Sequence, residues 1–305
     1  MKILILTPDG VGSTLLQRIL AMGMHLENID VVNHHELTNG IKLEANVIRK
    51  DWSLKYSQTL KQIQELLEKS DNTVSTISRL AKYHLDIRQD SQSEQKQFYE
   101  YLKKNYNKII SCRRKNIFEY AMSWSIRNES GILNIYSRID KQKVLQVKKV
   151  NELFFDKKCQ EYVDYVRWAD EHFPDSMDIY YEDMVIAADK TFEKILGTKD
   201  TFLKKFKAPL SEILKTEYEF LNDEQPTQGP LYKKLFEYKM LSRELIDKGI
   251  ILNQPIKNTT LSDKRKNIAN FDQCLERFRQ FAKNHNWIDQ DTATYDFWNR
   301  DRLPC

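Results

Sequence analysis

The chain has few of the residues that would stabilise a secreted scaffold, and it has no run long enough to span a membrane. Its 305 residues include four cysteines, Cys112, Cys159, Cys274 and Cys305, with no CxxC pair. This spacing fits neither a zinc site nor a disulfide framework. The N-terminal apolar run, Ile3 to Leu6, is too short for a signal peptide, and no stretch reaches the length of a membrane span. We therefore expect a protein of the reducing cytoplasm.

Glycine, proline and net charge are also low. Eight glycines and seven prolines leave room for few long loops. A net charge of +4 is too small to indicate a nucleic acid partner, but it suits a polyanionic small ligand. No set of metal ligands is recognisable, and the sequence leaves the oligomeric state open. The hydrophobic content of 41% is ordinary for a globular protein with a core of good size.

Short apolar runs alternate with helical patterns along the first 185 residues. The strand-like runs are Lys2–Leu6, Ile29–Asn33, Thr73–Ile77, Lys108–Ser111 and Asp178–Tyr181. The helical patterns are Thr14–Met24, Leu54–Lys69, Ser93–Asn107, Asn116–Arg127 and Val150–His172. This alternation predicts an α/β protein with a mainly parallel central sheet flanked by helices.

The last third of the sequence predicts helices alone. The candidates are Ala188–Leu196, Thr201–Phe206, Leu210–Glu217, Leu231–Lys248 and Arg265–Asn284, followed by a short tail. The best loop is Asn222–Pro230, which contains two prolines and a glycine. We expect a single domain over residues 1–305, in which residues 1–185 form an α/β core and residues 186–305 a helical extension.

The turn after the first strand is typical of an anion site. Gly10-Val11-Gly12-Ser13-Thr14 separates the strand from an amphipathic helix, and the N-terminus of a helix attracts anions. The two glycines let the backbone approach a phosphate, and the two hydroxyls add donors. Since Gly12 is followed directly by Ser13, the lysine of a standard ATP or GTP P-loop is missing. We interpret the turn as a phosphate- or sulfate-binding loop, and an ordinary strand-to-helix turn is the alternative.

A basic run follows the fourth strand-like segment. Ligands in open α/β sheets bind beyond the carboxyl ends of the strands. Arg113, Arg114 and Lys115 lie at such an end, and Ser123 follows about two turns into the next helix. Arginine binds phosphate in a bidentate manner. We favour an anion site here, and a solvated basic turn is the alternative.

Candidate catalytic groups follow the second and third strand-like segments. If the chain stays extended after the third segment, Lys82 and His84 point to the same side. A lysine there holds a negative group, and a histidine accepts a proton. After the second segment come His34, His35 and Glu36, which are candidate acceptor-side or base residues. A polar loop is an equally good interpretation of those three residues.

With these pieces in place, the chain resembles the sulfotransferases that use 3′-phosphoadenosine 5′-phosphosulfate (PAPS). The opening loop is similar to the family's 5′-phosphosulfate-binding loop, and Arg113–Asn116 with Ser123-Trp124 resembles its 3′-phosphate-binding element. Arg79–Leu85 is similar to the segment that supplies the catalytic histidine and a lysine in cytosolic members. Tyr180–Met184 resembles the Tyr-Glu-Asp-hydrophobic signature, and Asp263–Asn270 faintly resembles the basic segment that covers the donor.

The resemblance implies a P-loop nucleotide kinase-like fold and transfer of a sulfuryl group from PAPS to a hydroxyl or amine. The product is 3′-phosphoadenosine 5′-phosphate (PAP), and no metal is required. The residues implied to bind the donor are Gly10, Val11, Gly12, Ser13 and Thr14 at the 5′-phosphosulfate, and Arg113, Arg114 and Ser123 at the 3′-phosphate. The residues implied to act in catalysis are His84 as the base, with Glu36 or His35 as rivals, and Lys82 beside the leaving group.

The chain departs from the family pattern at two positions. Many members carry a lysine or arginine in the first loop where this chain has Gly10. Lys82 takes over that role, or the activity is weak. The residue that binds the 3′-phosphate is also open, because the family spacing to the serine falls on Lys115 and residue type favours Arg114.

Three other functions remain open at this point. The chain could be a nucleotide or small-molecule kinase of related architecture, a degenerate protein that binds PAP without turnover, or an α/β scaffold without a nucleotide site. The acceptor is equally open among sugar, lipid, peptide tyrosine and small metabolite, since acceptor pockets are built from variable loops. We expect a small-molecule or glycan acceptor and neither a nucleic acid nor a membrane as partner.

Overall fold

The structure is a computed structural model. It describes residues 1–132, 138–198, 201–208 and 261–285, together with positions 210, 241, 243–245 and 247–248. The predicted helices Leu210–Glu217 and Leu231–Lys248 lie largely outside the described residues. The loop Asn222–Pro230, the tail with Cys305, and the side chain of His35 also lie outside them.

Five parallel strands form the central sheet, so the predicted α/β class is confirmed. The described residues contain seven strands in all: β1 (Lys2–Thr7), β2 (Val31–Glu36), β3 (Ile41–Glu44), β4 (Val47–Lys50), β5 (Ser75–Ala81), β6 (Lys108–Arg113) and β7 (Met177–Tyr180). The sheet has the order β2-β5-β1-β6-β7, and every neighbouring pair is parallel. β3 and β4 form a separate antiparallel hairpin that the sequence did not predict.

The strand order reverses beside β1. The chain passes from β1 to β2 and β5 on one side of it, and later to β6 and β7 on the other. Ile3 to Leu6 are fully buried, as expected for a central parallel strand. Ligands of open α/β sheets bind at the carboxyl edge where the order reverses, and this is the position of the loop after β1.

The described helices agree with the predicted ones in most places. They are α1 (Ser13–Leu26), α2 (Leu60–Lys69), α3 (Lys82–Asp86), α4 (Gln92–Asn105), α5 (Ile117–Ser130), α6 (Arg138–Leu145), α7 (Glu152–His172), α8 (Tyr181–Ile186), α9 (Ala188–Leu196), α10 (Thr201–Phe206), α11 (Leu261–Asn267) and α12 (Phe271–Asn284). The helix predicted to begin at Leu54 begins at Leu60, because Thr59 and Gln62 form a capping box there. The helix predicted from Arg265 is divided into α11 and α12.

The described residues fall into two compact units. The larger unit contains residues 1–113, 165–198 and 201–208 and the described positions between 210 and 248. The smaller unit contains residues 114–132, 138–164 and 261–285. The boundaries of the two units differ from the predicted division at residue 185. The single domain over residues 1–305 stays a prediction.

Each unit has its own apolar core. The larger unit packs Leu4 and Leu6 of β1 together with Phe98, Tyr165 and Trp168 from its helices. In the smaller unit the ring of Phe118 makes edge contacts with three other rings, at centroid distances of 5.1–5.7 Å. These rings belong to Phe155, Phe271 and Phe278. Such aromatic pairs contribute about 0.5–1.5 kcal/mol each beyond the apolar area that they bury.

No helix in the described part of the chain combines the length and the apolar character needed to cross a bilayer. Cys112, Cys159 and Cys274 are buried free thiols. Burial raises the pKa of the Cys274 thiol to about 11, so this thiol is protonated at neutral pH.

Candidate functional site

The loop between β1 and α1 has a backbone that requires glycine. Gly12 precedes α1 with a φ of 79°, and Gly10 has a φ of 71°. A Cβ atom on Gly12 would lie 2.3 Å from Cδ2 of Tyr181, so no other residue fits there without rearrangement. Because Gly12 has no side chain, the first turn of α1 receives no side-chain cap. The start of α1 therefore keeps the features of an anion-binding helix terminus.

The Tyr180–Met184 segment packs against this loop. β7 ends at Tyr180, and α8 begins with Tyr181, whose ring lies beside Gly12. The methyl group of Met184 lies 3.1 Å from the same Cβ position. Two segments that are distant in sequence are thus in contact within the larger unit.

Arg79 connects the hydroxyls of the loop to the neighbouring strands. This residue lies on β5, paired with Ile5 of β1, and it is 7% exposed. Its Nη1 donates to Thr14 Oγ1 at 2.5 Å and to Ser13 Oγ at 3.4 Å. Since the guanidinium occupies lone pairs on the two oxygens, the hydroxyl hydrogens stay available to an anion. Arg79 had no predicted role, because its place in the site depends on the pairing of β5 with β1.

Glu36 and His84 form a buried pair. Glu36 ends β2, and its Oε2 lies 2.6 Å from Nδ1 of His84. Its other oxygen binds Nη2 of Arg79. His84 is 1% exposed and Glu36 is 4% exposed. With Nδ1 beside the Glu36 carboxylate, Nε2 is the ring nitrogen that remains for another partner.

The segment expected to stay extended after β5 is helical instead. β5 ends at Ala81, and α3 begins at Lys82, so Lys82 and His84 do not alternate as in a strand. The expectation that they share one side by strand geometry was wrong. Lys82 Nζ binds both carboxylate oxygens of Asp86 at 2.8 Å, because residues four apart are neighbours on a helix.

The structure describes the side chain of only one of the two histidines before Glu36. His35 lies in β2, and its side chain is outside the described residues. His34 is buried, with Nδ1 at 3.2 Å from Ser78 Oγ, and this oxygen accepts a hydrogen bond from the Tyr106 hydroxyl at 2.8 Å. Burial, with smaller contributions from nearby cations, lowers the pKa of His34 to about 4. His34 is therefore a neutral internal group at physiological pH.

Two tyrosine rings and a lysine lie around the Glu36–His84 pair. The ring centroids of Tyr56 and Tyr83 are 5.5 and 4.0 Å from that of His84. Lys50 ends β4. Burial lowers the pKa of Lys50 to about 8, although the charge of Glu36 opposes this shift. The carboxyl edge of the larger unit thus combines acidic, basic and aromatic side chains.

A second polar cluster lies in the smaller unit. Lys264 on α11 donates from Nζ to Ser123 Oγ at 2.7 Å and to Glu119 Oε1 at 3.2 Å. Arg114 Nη2 lies 3.3 Å from Glu119 Oε2. The side chains of Arg114, Glu119 and Lys264 are all at least nine-tenths buried. Ser123 and the Asp263–Asn270 segment, which the sequence analysis singled out separately, are thus in direct contact.

The charged groups of this cluster shift one another's pKa values. Burial by itself raises the pKa of Glu119, but Lys264 and Arg114 outweigh it and the pKa is lowered. Burial lowers the pKa of Lys264, and Glu119 opposes that shift. Glu119 thus lies between two basic side chains, those of Arg114 and Lys264. The Tyr162 hydroxyl fixes the backbone of Arg114, since it accepts from the Arg114 N–H at 2.7 Å and donates to its carbonyl at 2.9 Å.

Arg113 and Lys115 lie in different surroundings from Arg114. Arg113 ends β6 in the larger unit, where Nε lies 2.8 Å from Asp178 Oδ1 and Nη2 binds Asp170. Lys115 is exposed. Among the described contacts of this basic run, it is Arg114 that reaches the cluster of Glu119, Ser123 and Lys264.

The described residues contain no group of three or more histidine, cysteine or acidic side chains placed to hold a metal ion. Both candidate sites instead pair arginine or lysine with hydroxyls and a carboxylate. Such donor sets bind oxyanions.

Comparison with known proteins adds no family assignment. No protein-family model matches the sequence, and no curated protein matches it either. The functional argument therefore rests on the geometry of the two units.

Proposed function

We propose that this protein is a PAPS-dependent sulfotransferase that acts on a small-molecule or glycan acceptor in the cytoplasm. The observation that carries the proposal is one continuous chain of polar contacts at the carboxyl edge of the sheet. It runs from His84 through Glu36 and Arg79 to the hydroxyls of the opening loop. The chain links a basic atom to an anion-binding loop, which is what transfer of a charged group to a hydroxyl needs.

The opening loop would hold the 5′-phosphosulfate. The backbone from Val11 to Thr14 and the first turn of α1 would supply N–H groups, and the Thr14 hydroxyl would donate to the anion, whereas the Gly10 N–H donates to Asp9 Oδ1 at 2.9 Å. Arg79 lies directly behind these hydroxyls. Its charge supports a bound anion at the place where the loop itself lacks a basic residue. Arg79 takes this role in preference to Lys82, since Lys82 is bound by Asp86.

The cluster in the smaller unit would hold the 3′-phosphate. Ser123 supplies a hydroxyl, and Arg114 and Lys264 supply two basic side chains beside one carboxylate, that of Glu119. Charge-assisted contacts of this kind contribute about 1.5–3 kcal/mol each. A phosphate bound here would be the one that distinguishes PAPS from adenosine 5′-phosphosulfate.

Transfer would proceed in line. The acceptor oxygen forms a bond to sulfur while the bond from sulfur to the bridging oxygen of the 5′-phosphate breaks, and PAP leaves. The proton of the acceptor hydroxyl moves to Nε2 of His84, and the Glu36 carboxylate stabilises the imidazolium that results. By analogy with phosphoryl transfer, the protein contributes mainly positioning and charge stabilisation.

The fold would then belong to the P-loop nucleotide kinase-like class. The parallel sheet, with the anion loop at the point where the strand order reverses, supports this assignment. The same architecture suits a nucleotide or small-molecule kinase, and the missing loop lysine counts against that alternative.

Thermal unfolding with added ligands tests the proposal. A ligand present at a hundred times its dissociation constant stabilises the native state by about 2.7 kcal/mol, so millimolar PAP should raise the melting temperature by several degrees. Thr14→Val and Arg114→Ala should each reduce the shift. No shift with PAP would overturn the proposal, and a shift with ATP and magnesium alone would establish the kinase instead. A shift with PAP in a protein that never turns over would indicate a degenerate binding protein.

A further inference from the structure

Two exposed tyrosines flank the buried His84. Tyr56 is 37% exposed and Tyr83 is 39% exposed, and both rings contact the imidazole. The Tyr83 ring is tilted by 52° and the Tyr56 ring by 66° relative to His84. Two exposed aromatic rings thus lie directly beside the proposed catalytic base.

Tyr56 is held in a conformation that the surrounding chain enforces. Its φ of 60° lies in the left-handed region, which is rare and costly for a bulky side chain. The turn that carries it is fixed at both ends. Asp51 N–H donates to the Gly40 carbonyl at 2.9 Å, and the Gln58 amide binds both the N–H and the carbonyl of Ile41. This exposed ring is therefore preorganised.

The tyrosines lie among charged groups of both signs. Lys55 Nζ lies 4.9 Å from the centroid of the Tyr56 ring. Burial and the charges of Asp9 and Glu36 raise the pKa of Tyr83, so both carboxylates lie within electrostatic range of it. A ligand here meets flat rings beside hydrogen-bonding groups, which suits a molecule with an apolar face and a polar edge.

From this arrangement we propose that Tyr56 and Tyr83 form the acceptor subsite and that the acceptor is a carbohydrate. A pyranose stacks its C–H face on Tyr56 and directs one hydroxyl to Nε2 of His84, while its other hydroxyls meet the charged groups of the rim. A phenol prefers an enclosed apolar pocket, whereas these rings are exposed and bordered by charges. The inference deepens the proposed sulfotransferase function and rests on it.

Glycan binding by the PAP-saturated protein provides the test. The probe is a printed glycan array of neutral, amino and uronate sugars, and 4-nitrophenol is titrated in parallel. We expect Tyr56→Ala to weaken binding to the recognised glycans about tenfold, since one aromatic contact contributes up to about 1.5 kcal/mol. Tyr56→Phe should retain binding because it keeps the ring. Ile87→Ala, at an apolar position that is 56% exposed, is the matched control and should have no effect.

The outcomes separate this inference from the proposed function. PAP affinity is measured first, and it should be the same in Tyr56→Ala and in the unchanged protein. If PAP binds and no glycan does, or if Tyr56→Ala binds glycans equally well, the carbohydrate subsite is wrong and the sulfotransferase proposal stands. If 4-nitrophenol binds and glycans do not, the acceptor is a phenol and not a carbohydrate. If a glycan binds in a manner that depends on Tyr56 but PAP does not bind, the carbohydrate subsite stands and the proposed donor is wrong.

Discussion

Arg79 and Thr14 are joined by a 2.5 Å hydrogen bond between the guanidinium on β5 and the hydroxyl in the first turn of α1. Sixty-five positions separate them in sequence, and the parallel pairing of β5 with β1 brings them together. Because the Thr14 oxygen accepts this bond, the hydroxyl keeps its own hydrogen for another partner. A residue on the neighbouring strand therefore holds the start of α1 in place.

Thr14→Val should weaken PAP binding about tenfold or more. The substitution keeps the shape of the side chain and removes a hydroxyl whose contact to a charged ligand contributes about 1.5–3 kcal/mol. Calorimetric titration with PAP measures the effect. Thr76→Val is the matched control, because the Thr76 hydroxyl is buried in β5 without a hydrogen-bond partner. Equal affinity of Thr14→Val and the unchanged protein would show that the loop does not bind PAP.

His84→Ala should abolish turnover and leave PAP affinity nearly unchanged. Loss of a general base costs about 10²–10⁴ in rate, whereas His84 contacts Glu36 and the two tyrosines and not the anion loop. Steady-state rates and PAP titration of the same preparation separate the two effects. His25→Ala, at the end of α1, serves as the control. If His84→Ala is fully active and Glu36→Gln is not, Glu36 is itself the base.

Arg114→Ala should weaken binding of PAP far more than binding of adenosine 5′-phosphosulfate. Only PAP carries the 3′-phosphate that the cluster with Ser123 is proposed to bind, and the loss should be about 1.5–3 kcal/mol. Competitive titration of both nucleotides measures the ratio. Lys115→Ala removes the next cation along the chain and should change neither affinity. If Arg114→Ala loses the same affinity for both nucleotides, Arg114 does not bind the 3′-phosphate.

Acid should destabilise the protein partly through His34. Its pKa is lowered by burial from 6.5 to about 4, so between these pH values the unfolded chain binds a proton that the folded chain does not. His34 therefore does not change the free energy of unfolding above pH 6.5. As the pH falls from 6.5 to about 4, protonation of His34 in the unfolded chain lowers the free energy of unfolding by about 3 kcal/mol. Urea unfolding of the unchanged protein and of His34→Gln across this range isolates the contribution. An identical pH dependence of the two proteins would refute it.

The central sheet could be predicted because its strands are short apolar runs separated by helical patterns. The β3–β4 hairpin was missed because its turn, Ala45-Asn46, has φ values of 48° and 64° without the glycine that usually marks such a turn. The helix α3 was missed because Lys82–Asp86 is a single short helix directly after a strand. Such a short segment has too little periodicity to indicate a helix.

The residue types at the candidate site could be predicted, but their partners could not. Glu36 and His84 were considered as rival bases, and the structure joins them at 2.6 Å. Contacts of this kind depend on strand pairing and helix packing between distant segments. Lys264 and Ser123 are 141 positions apart, and no local pattern connects them. Arg79 was named only as part of a motif because its role depends on the strand beside it.

Transfer of radioactive sulfur tests the account most directly. The protein is incubated with PAPS that carries labelled sulfur and with a boiled extract of the cells that produce it, and the products are separated. The account predicts that label moves from PAPS to an acceptor, that PAP accumulates in equal amount, and that His84→Ala does neither. A protein that binds PAP but leaves all label in PAPS or inorganic sulfate would contradict it.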